Sequence, residues 1–311
     1  MHVAAVVSRS TVASLLGVVV LCSTGRGTAL TAQARMARAS APQVRVFTPP
    51  DFWGSYAIWG ATGYDARGHI WFGVTSNDEG TASAHLYELD PDGGAITDRG
   101  DVISELKRLR LYRPGERQMK IHSRIVEAAD RYQYFASMDE SGESPDGATL
   151  PKWGGHLWRR GRSGVWEHLA ATPQALIAVA VGGRYVYALG YFNHVLFQFD
   201  TQTRRLKSVP VGSAGGHVSR NFVADERGHA FVPRVTEAGG TLSAALVEFD
   251  ASLHELGAMP IGQYFERSRD DSHGIVGVSP GADGTSYFTT GKGRLYQIIP
   301  SVSGASTVSD L

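Results

Sequence analysis

The amino-acid sequence predicts an all-β chain assembled from one repeated unit. Three observations carry that reading. Aromatic-rich runs recur: HIWFG at Phe72, YQYFA at Phe135, YVYALG at Tyr187, HAFVP at Phe231 and SYFTT at Phe288. The spacings between these markers are 63, 52, 44 and 57 residues, and the shortest approaches the length of one four-stranded blade. β-Branched and aromatic runs alternate with Gly- and Asp-bearing turns, and no long stretch keeps a helical period. Together they predict a β-propeller of five blades by direct count. The count rises to six or seven if residues 100–120 or 250–272 carry further strands. A β-sandwich is the alternative, but its strands would group less regularly in fours.

The fourth repeat shows the unit most plainly. Arg220 to Ala224 reads as strand a, His229 to Val235 as strand b, Ala245 to Phe249 as strand c and Leu253 to Ile261 as strand d. Repeat three gives LIAVAV, YVYALG, HVLFQFD and RRLKSVPV; repeats one and two show the same order. Ile103 to Leu111 reads as a short helix in a connection. Repeat five offers three strands, GIVGVS, TSYFTT and RLYQII, so an N-terminal strand at Val44 to Thr48 is expected to close the ring. Closure removes the exposed sheet edges that invite aggregation. Residues 44–300 then form one propeller domain and 301–311 a C-terminal tail.

The first 34 residues read as an export signal. Arg9 supplies the positive end, and Val12 to Cys22 is an apolar run too short to span a bilayer. Ala32-Gln33-Ala34 and Ala39-Ser40-Ala41 are small-x-small cleavage sites. Cys22 is the sole cysteine and leaves with the signal, so the mature chain has neither a disulfide nor a thiol nucleophile. A periplasmic or secreted protein with no membrane span is expected. Thirty Lys and Arg balance thirty Asp and Glu, which argues against a nucleic-acid partner.

Inner strands of a propeller converge on a central channel, so one address in each repeat builds one site. His122 lies 13 residues before Phe135, His217 lies 14 before Phe231, and His273 lies 15 before Phe288. Gln174 holds the corresponding place in repeat three. Three imidazoles and an amide can ligate a divalent metal ion (Mn, Zn or Ca), with Asp270, Asp271 or Glu127 orienting the rings. The bland alternative is three histidines that merely bond neighbouring blades.

Arg124 and Arg220 follow two of the histidines and could clamp a carboxylate. Arg234 and Lys292, at the ends of strands b, and Trp59 are candidates for holding substrate. Tyr191 and His194, in the b–c loop of repeat three, are candidate proton donors and acceptors. Asn77-Asp78-Glu79 and Asp139-Glu140 add carboxylates to the same rim, and Trp153 could stack on a sugar.

These residues resemble the metal-assisted β-propeller lyases, with the oligogalacturonate lyases the nearest analogy and the streptogramin B lyases similar. The resemblance is architectural and covers residues 44–300. It implies three histidines and a glutamine around a divalent metal on the axis, an arginine as base, and seven blades. Here the histidines are spread over three repeats instead. The function expected is an exported, metal-assisted lyase that cleaves uronate-containing oligo- or polysaccharide by β-elimination. Its partner is a carbohydrate or other anionic small molecule, and a monomer is expected. The alternative is a non-enzymatic propeller that binds a glycan or a protein. A calcium-dependent lactonase propeller would call for carboxylate and Asn ligands where this chain has histidine.

Overall fold

The computed structural model describes residues 44–265, 274–281 and 283–311. The signal-like N-terminus, His273, Asp270 and Asp271 lie outside the described residues. Among those described, no helix is long and apolar enough to cross a membrane.

Five antiparallel sheets follow one another along the chain and make a five-bladed β-propeller. Blade 1 has an interrupted inner strand, Ser55–Ala57 and Thr62–Tyr64, then Ile70–Ser76, His85–Leu89 and Ile96–Asp101. Blade 2 has a split inner strand, Lys120–Ile121 and Val126–Glu127, then Gln133–Asp139, Gly154–Arg160 and Trp166–Thr172. Blade 3 runs Leu176–Gly182, Tyr185–Gly190, Val195–Asp200 and Leu206–Pro210. Blade 4 runs Val223–Ala224, Ala230–Ala238, Thr241–Phe249 and Glu255–Pro260. Blade 5 runs Ile275–Pro280, Ser286–Thr290, Leu295–Ile299 and Thr307–Asp310.

The origin of the last strand departs from expectation. Val44–Thr48 forms no strand and is largely exposed, and the compact unit begins at Pro49. Thr307–Asp310, expected as a tail, instead pairs with Leu295–Ile299 as the outer strand of blade 5. Each blade therefore consists of four consecutive stretches of chain, and none borrows a strand from the other end. Connection 100–120 holds no extra blade. It carries the helix Val102–Arg108, whose first turn is capped by Asp101 accepting from the Ser104 N–H.

Four apolar cores lie at the four junctions between consecutive blades. Between blades 1 and 2, Trp71, Phe135, Trp158 and Trp166 are buried together. Phe135 and Trp158 both meet Trp166 edge to face, at 4.8 and 5.6 Å. Each such ring removes about 150–250 Å² from water, or about 4–6 kcal/mol at ~25 cal/mol per Å². The indole N–H groups stay satisfied, Trp158 donating to Ser137 Oγ and Trp166 to the Arg99 carbonyl.

A polar staple recurs in blades 1 and 4. Its sequence is Asp-x-Arg-Gly-His in the a–b turn plus a glutamate in strand c. Asp65 accepts from the Arg67 and His69 N–H groups, and Asp225 does the same for Arg227 and His229. Gly68 and Gly228 take φ of +83° and +79°, a region closed to most side chains. His69 Nδ1 lies 2.6 Å from Glu88, and His229 Nδ1 lies 2.7 Å from Glu248. Glu248 is fully buried and also accepts from the Ser306 N–H and Oγ of blade 5, so it joins two blades. Removing it leaves buried donors without an acceptor. Glu248→Ala should cost about 3–5 kcal/mol in denaturant unfolding, while Ala at the exposed neighbour Glu226 should cost less than about 0.5 kcal/mol.

Candidate functional site at the channel mouth

The b–c loops and the starts of the inner strands share one end of the propeller. There, Arg220 of blade 4 reaches across the axis to His122 of blade 2, with Nη1 3.4 Å from Nε2. The two residues are 98 apart in sequence, and only converging inner strands bring them together. A guanidinium can only donate, so His122 Nε2 accepts and the ring proton sits on Nδ1. That Nδ1 is buried and has no partner. Burial, then the charges of Arg220 and Lys120, hold the His122 pKa at about 4, so the ring is neutral at pH 7.

Trp59 lies parallel to the His122 ring at 6.4 Å. Lys120 Nζ sits 5.5 Å from the Trp59 ring centre and pairs with Glu140. A cavity of about 310 Å³ opens here, lined by Tyr56, Trp59, Asn77, Lys120, Asp139 and Glu140 among others. The acidic loops foreseen at the rim thus belong to it.

Glu143 was not foreseen. It lies in the long b–c loop of blade 2, half-buried, with Oε1 3.4 Å from the Phe192 N–H and a buried Oε2 that has no partner. Burial raises its pKa to about 7; the Phe192 N–H opposes the shift and the charge of Glu140 adds to it. A carboxyl poised there exchanges a proton at neutral pH. The neighbouring Tyr191 phenol is pushed up by burial and by Glu140 and Glu143, against the pull of Arg220. Gln174 packs beneath this loop against Gly190, and its buried Oε1 lacks a partner. Only the length of the Ser141 to Gly154 loop pointed toward Glu143; its spacing carried no signal.

Several sequence-based expectations change. His217 is fully buried with both ring nitrogens engaged, Nδ1 at 2.9 Å from Ser213 Oγ and Nε2 at 2.8 Å from the Tyr264 hydroxyl. His194 packs on it at 4.5 Å, and neither His194 nitrogen makes a hydrogen bond. Burial holds His194 near 4 as well, opposed by the Pro233 carbonyl. This pair is buried between blades, which takes His194 out of the role of an accessible proton carrier. Arg234 is tied to the Val211 carbonyl in the connection from blade 3 and paired with Glu255 of blade 4, so its guanidinium is already committed. Lys292 is exposed on the b–c turn of blade 5, and Arg124 is exposed near Tyr64 rather than among the clustered groups.

The two described histidines of the expected set are engaged otherwise: both ring nitrogens of His217 are hydrogen-bonded, and Nε2 of His122 faces the Arg220 guanidinium. Among the described residues, Asp65, His69 and Glu88 offer ligand atoms within 4.8 Å of one another. Their carboxylates already bind Arg67 and Arg99, and the same staple recurs in blade 4, so this set is structural.

No protein-family model matches the chain, and no curated protein sequence matches it significantly. Solved structures with similar folds include a luciferin-regenerating enzyme, at 10% identity and TM-score 0.44, covering 82% of this chain and 94% of that one. The Dos1 propeller is similar at 8% identity and TM-score 0.46, covering 80% of this chain and 58% of that one. A GH43 protein from Bacillus licheniformis is similar at 11% identity and TM-score 0.40, covering 83% of this chain and 53% of that one.

The titrations predict acid sensitivity. His122, His168 and His194 have folded pKa values of about 4 against 6.5 unfolded. The unfolded chain therefore binds up to three extra protons between those limits, and stability falls as pH drops from about 6.5 to 4. Glu143 acts oppositely, because its folded value of about 7 lies above 4.5 and the folded chain binds the proton first. The net is about two protons, or about 3 kcal/mol per pH unit near pH 5. Urea unfolding across that range should show this slope, and a flat profile would contradict the assigned titrations.

Proposed function

We propose that this chain is an exported lyase that cleaves uronate-containing oligosaccharide by β-elimination at the channel mouth, without a histidine-held metal. The observation that carries the reading is Glu143, a carboxyl poised near pH 7 beside Tyr191, whose hydroxyl in turn feels the charge of Arg220. Elimination needs the substrate carboxylate neutralised, the adjacent C–H proton removed and the leaving oxygen protonated. Arg220 has an unpartnered buried Nε and binds the carboxylate. Ionised Glu143 takes the proton α to that carboxylate. The electron pair forms the C=C bond, the C–O bond to the leaving sugar breaks, and Tyr191 gives its proton to the departing oxygen. Water then carries the proton from Glu143 back to Tyr191. Trp59 supports the sugar ring, and Lys120 adds positive charge.

A second reading, a glycan-binding propeller without chemistry, is favoured by exposed aromatic rings near the same mouth: Trp53 at 71%, Tyr56 at 45% and Trp59 at 44%. The two readings separate on Glu143→Gln. A lyase should form an unsaturated uronate product, detected by its ultraviolet absorption. Glu143→Gln should lower kcat by about 10²–10⁴ and remove the ascending limb of the pH–rate profile near 7, with oligosaccharide affinity kept within about threefold. Binding with no unsaturated product from the wild type assigns the second reading. Full turnover in Glu143→Gln sinks the mechanism.

A further inference from the structure

The opposite end of the propeller carries a second site, at the junction of blades 1 and 2. Comparison with blades 4 and 5 exposes it. In the latter pair, the loop 300–306 fills the junction over the staple. Arg227 Nη1 donates to the Ser301 carbonyl at 2.6 Å, Nη2 reaches Ser306 Oγ at 3.1 Å, and Glu248 accepts from the Ser306 N–H. The same staple in blade 1 faces the corresponding c–d loop of blade 2, Gly161–Val165. No hydrogen bond joins that loop to Arg67 or Glu88, and a cavity of about 500 Å³ remains.

Arg160 lines that cavity. It is 8% exposed, yet its guanidinium makes no hydrogen bond and has no carboxylate within ion-pair distance among the described residues; its Nε is buried without a partner. Its guanidinium lies 5.1 Å from the Trp71 ring centre. Burial pulls its pKa down, with Arg99 and Arg67 acting in the same direction against the charges of Glu88 and Glu105. Elsewhere in the wall, Arg131 is paired with Glu127, and Arg67 and Arg99 with Asp65 and Glu88. The exposed Arg162 is free of ion pairs. Five guanidinium groups thus face three carboxylates, an excess of two positive charges. A buried arginine with no counterion is unfavourable unless something supplies the anion.

We propose that this junction binds a doubly charged tetrahedral oxyanion, a phosphate group free or carried on a sugar, with Arg160 as its bidentate donor and Arg162 as an outer clamp. The cavity has room for a ligand of monosaccharide size around that group. The proposal stands independently of the channel-mouth chemistry.

The test is calorimetric titration of the full chain with inorganic phosphate at fixed ionic strength, with sulfate and chloride as comparison anions. Phosphate should bind and raise Tm, chloride should not, and sulfate should bind more weakly as a competitor. Arg160→Met should weaken phosphate binding at least tenfold while its own Tm stays level or rises, because a buried unpaired charge is gone. Arg160→Lys should recover little of the loss, and Arg162→Ala, at an exposed position, should weaken binding about threefold. Arg220→Ala should leave phosphate affinity unchanged. No phosphate effect on the wild type beyond that of chloride, undiminished affinity in Arg160→Met, or loss confined to Arg220→Ala would each overturn the proposal.

Discussion

The approach of Arg220 to His122 across the axis governs the chemistry of the channel mouth. It is possible because the inner strands of blades 2 and 4 converge with blade 3 between them. The guanidinium fixes the His122 tautomer and adds its charge to the burial that keeps the ring uncharged. It also presents an unused Nε, so the mouth holds a fixed cation with spare hydrogen-bonding capacity. Lys120 adds a second cation and Glu140 partly neutralises it. The cavity wall carries Asp78, Asp139 and Glu140 against Arg117 and Lys120, so spare positive charge is local to Arg220, while Glu143, under burial and close to Glu140, is driven toward its neutral form.

The two ends of the propeller use arginine differently. In the staples, arginine is one member of a closed network: each Arg lies against an Asp and a Glu, and the histidine completes the second carboxylate. Such networks rigidify a turn because every buried polar group has a partner. Arg220 at the mouth and Arg160 are not closed into such networks, whereas Arg117 at the mouth is held by Asp78 and Asp139. A guanidinium left with unused donors at low dielectric is poised for an anion, and that distinction separates binding groups from supporting ones in this fold.

Much of the architecture was legible in the sequence. The period of aromatic strands located all five blades, because buried strands need large β-formers and their turns need Gly or Asp. The helix after blade 1 was legible from ISELKRLRL, and Val102–Arg108 is its core. The origin of the last strand was not. VRVFT and TVSD are both short and β-branched, and only pairing with Leu295–Ile299 distinguishes them. The histidine register reached two buried positions, His122 in the break of the blade 2 inner strand and His217 in the connection before the inner strand of blade 4. Counting along a chain cannot show which partners fill the space between blades, and Ser213, Tyr264 and Arg220 decide what those rings do. Glu143 was illegible because a loop carries no period, and its proton affinity comes from burial that only the fold creates.

A dication and Arg220 cannot both occupy the mouth at close range, since like charges at low dielectric repel strongly. The chain has placed the arginine there, and with it a fixed planar donor in place of an exchangeable ion. A metal can polarise a carboxylate and also lower the pKa of bound water. In the proposed elimination a guanidinium supplies the first function only, which leaves the proton transfers to side chains. Burial brings Glu143 near neutrality, with Glu140 adding to the shift, and burial with Glu140 keeps Tyr191 protonated against the pull of Arg220. That is the division of labour which the proposed elimination asks of an acid–base pair.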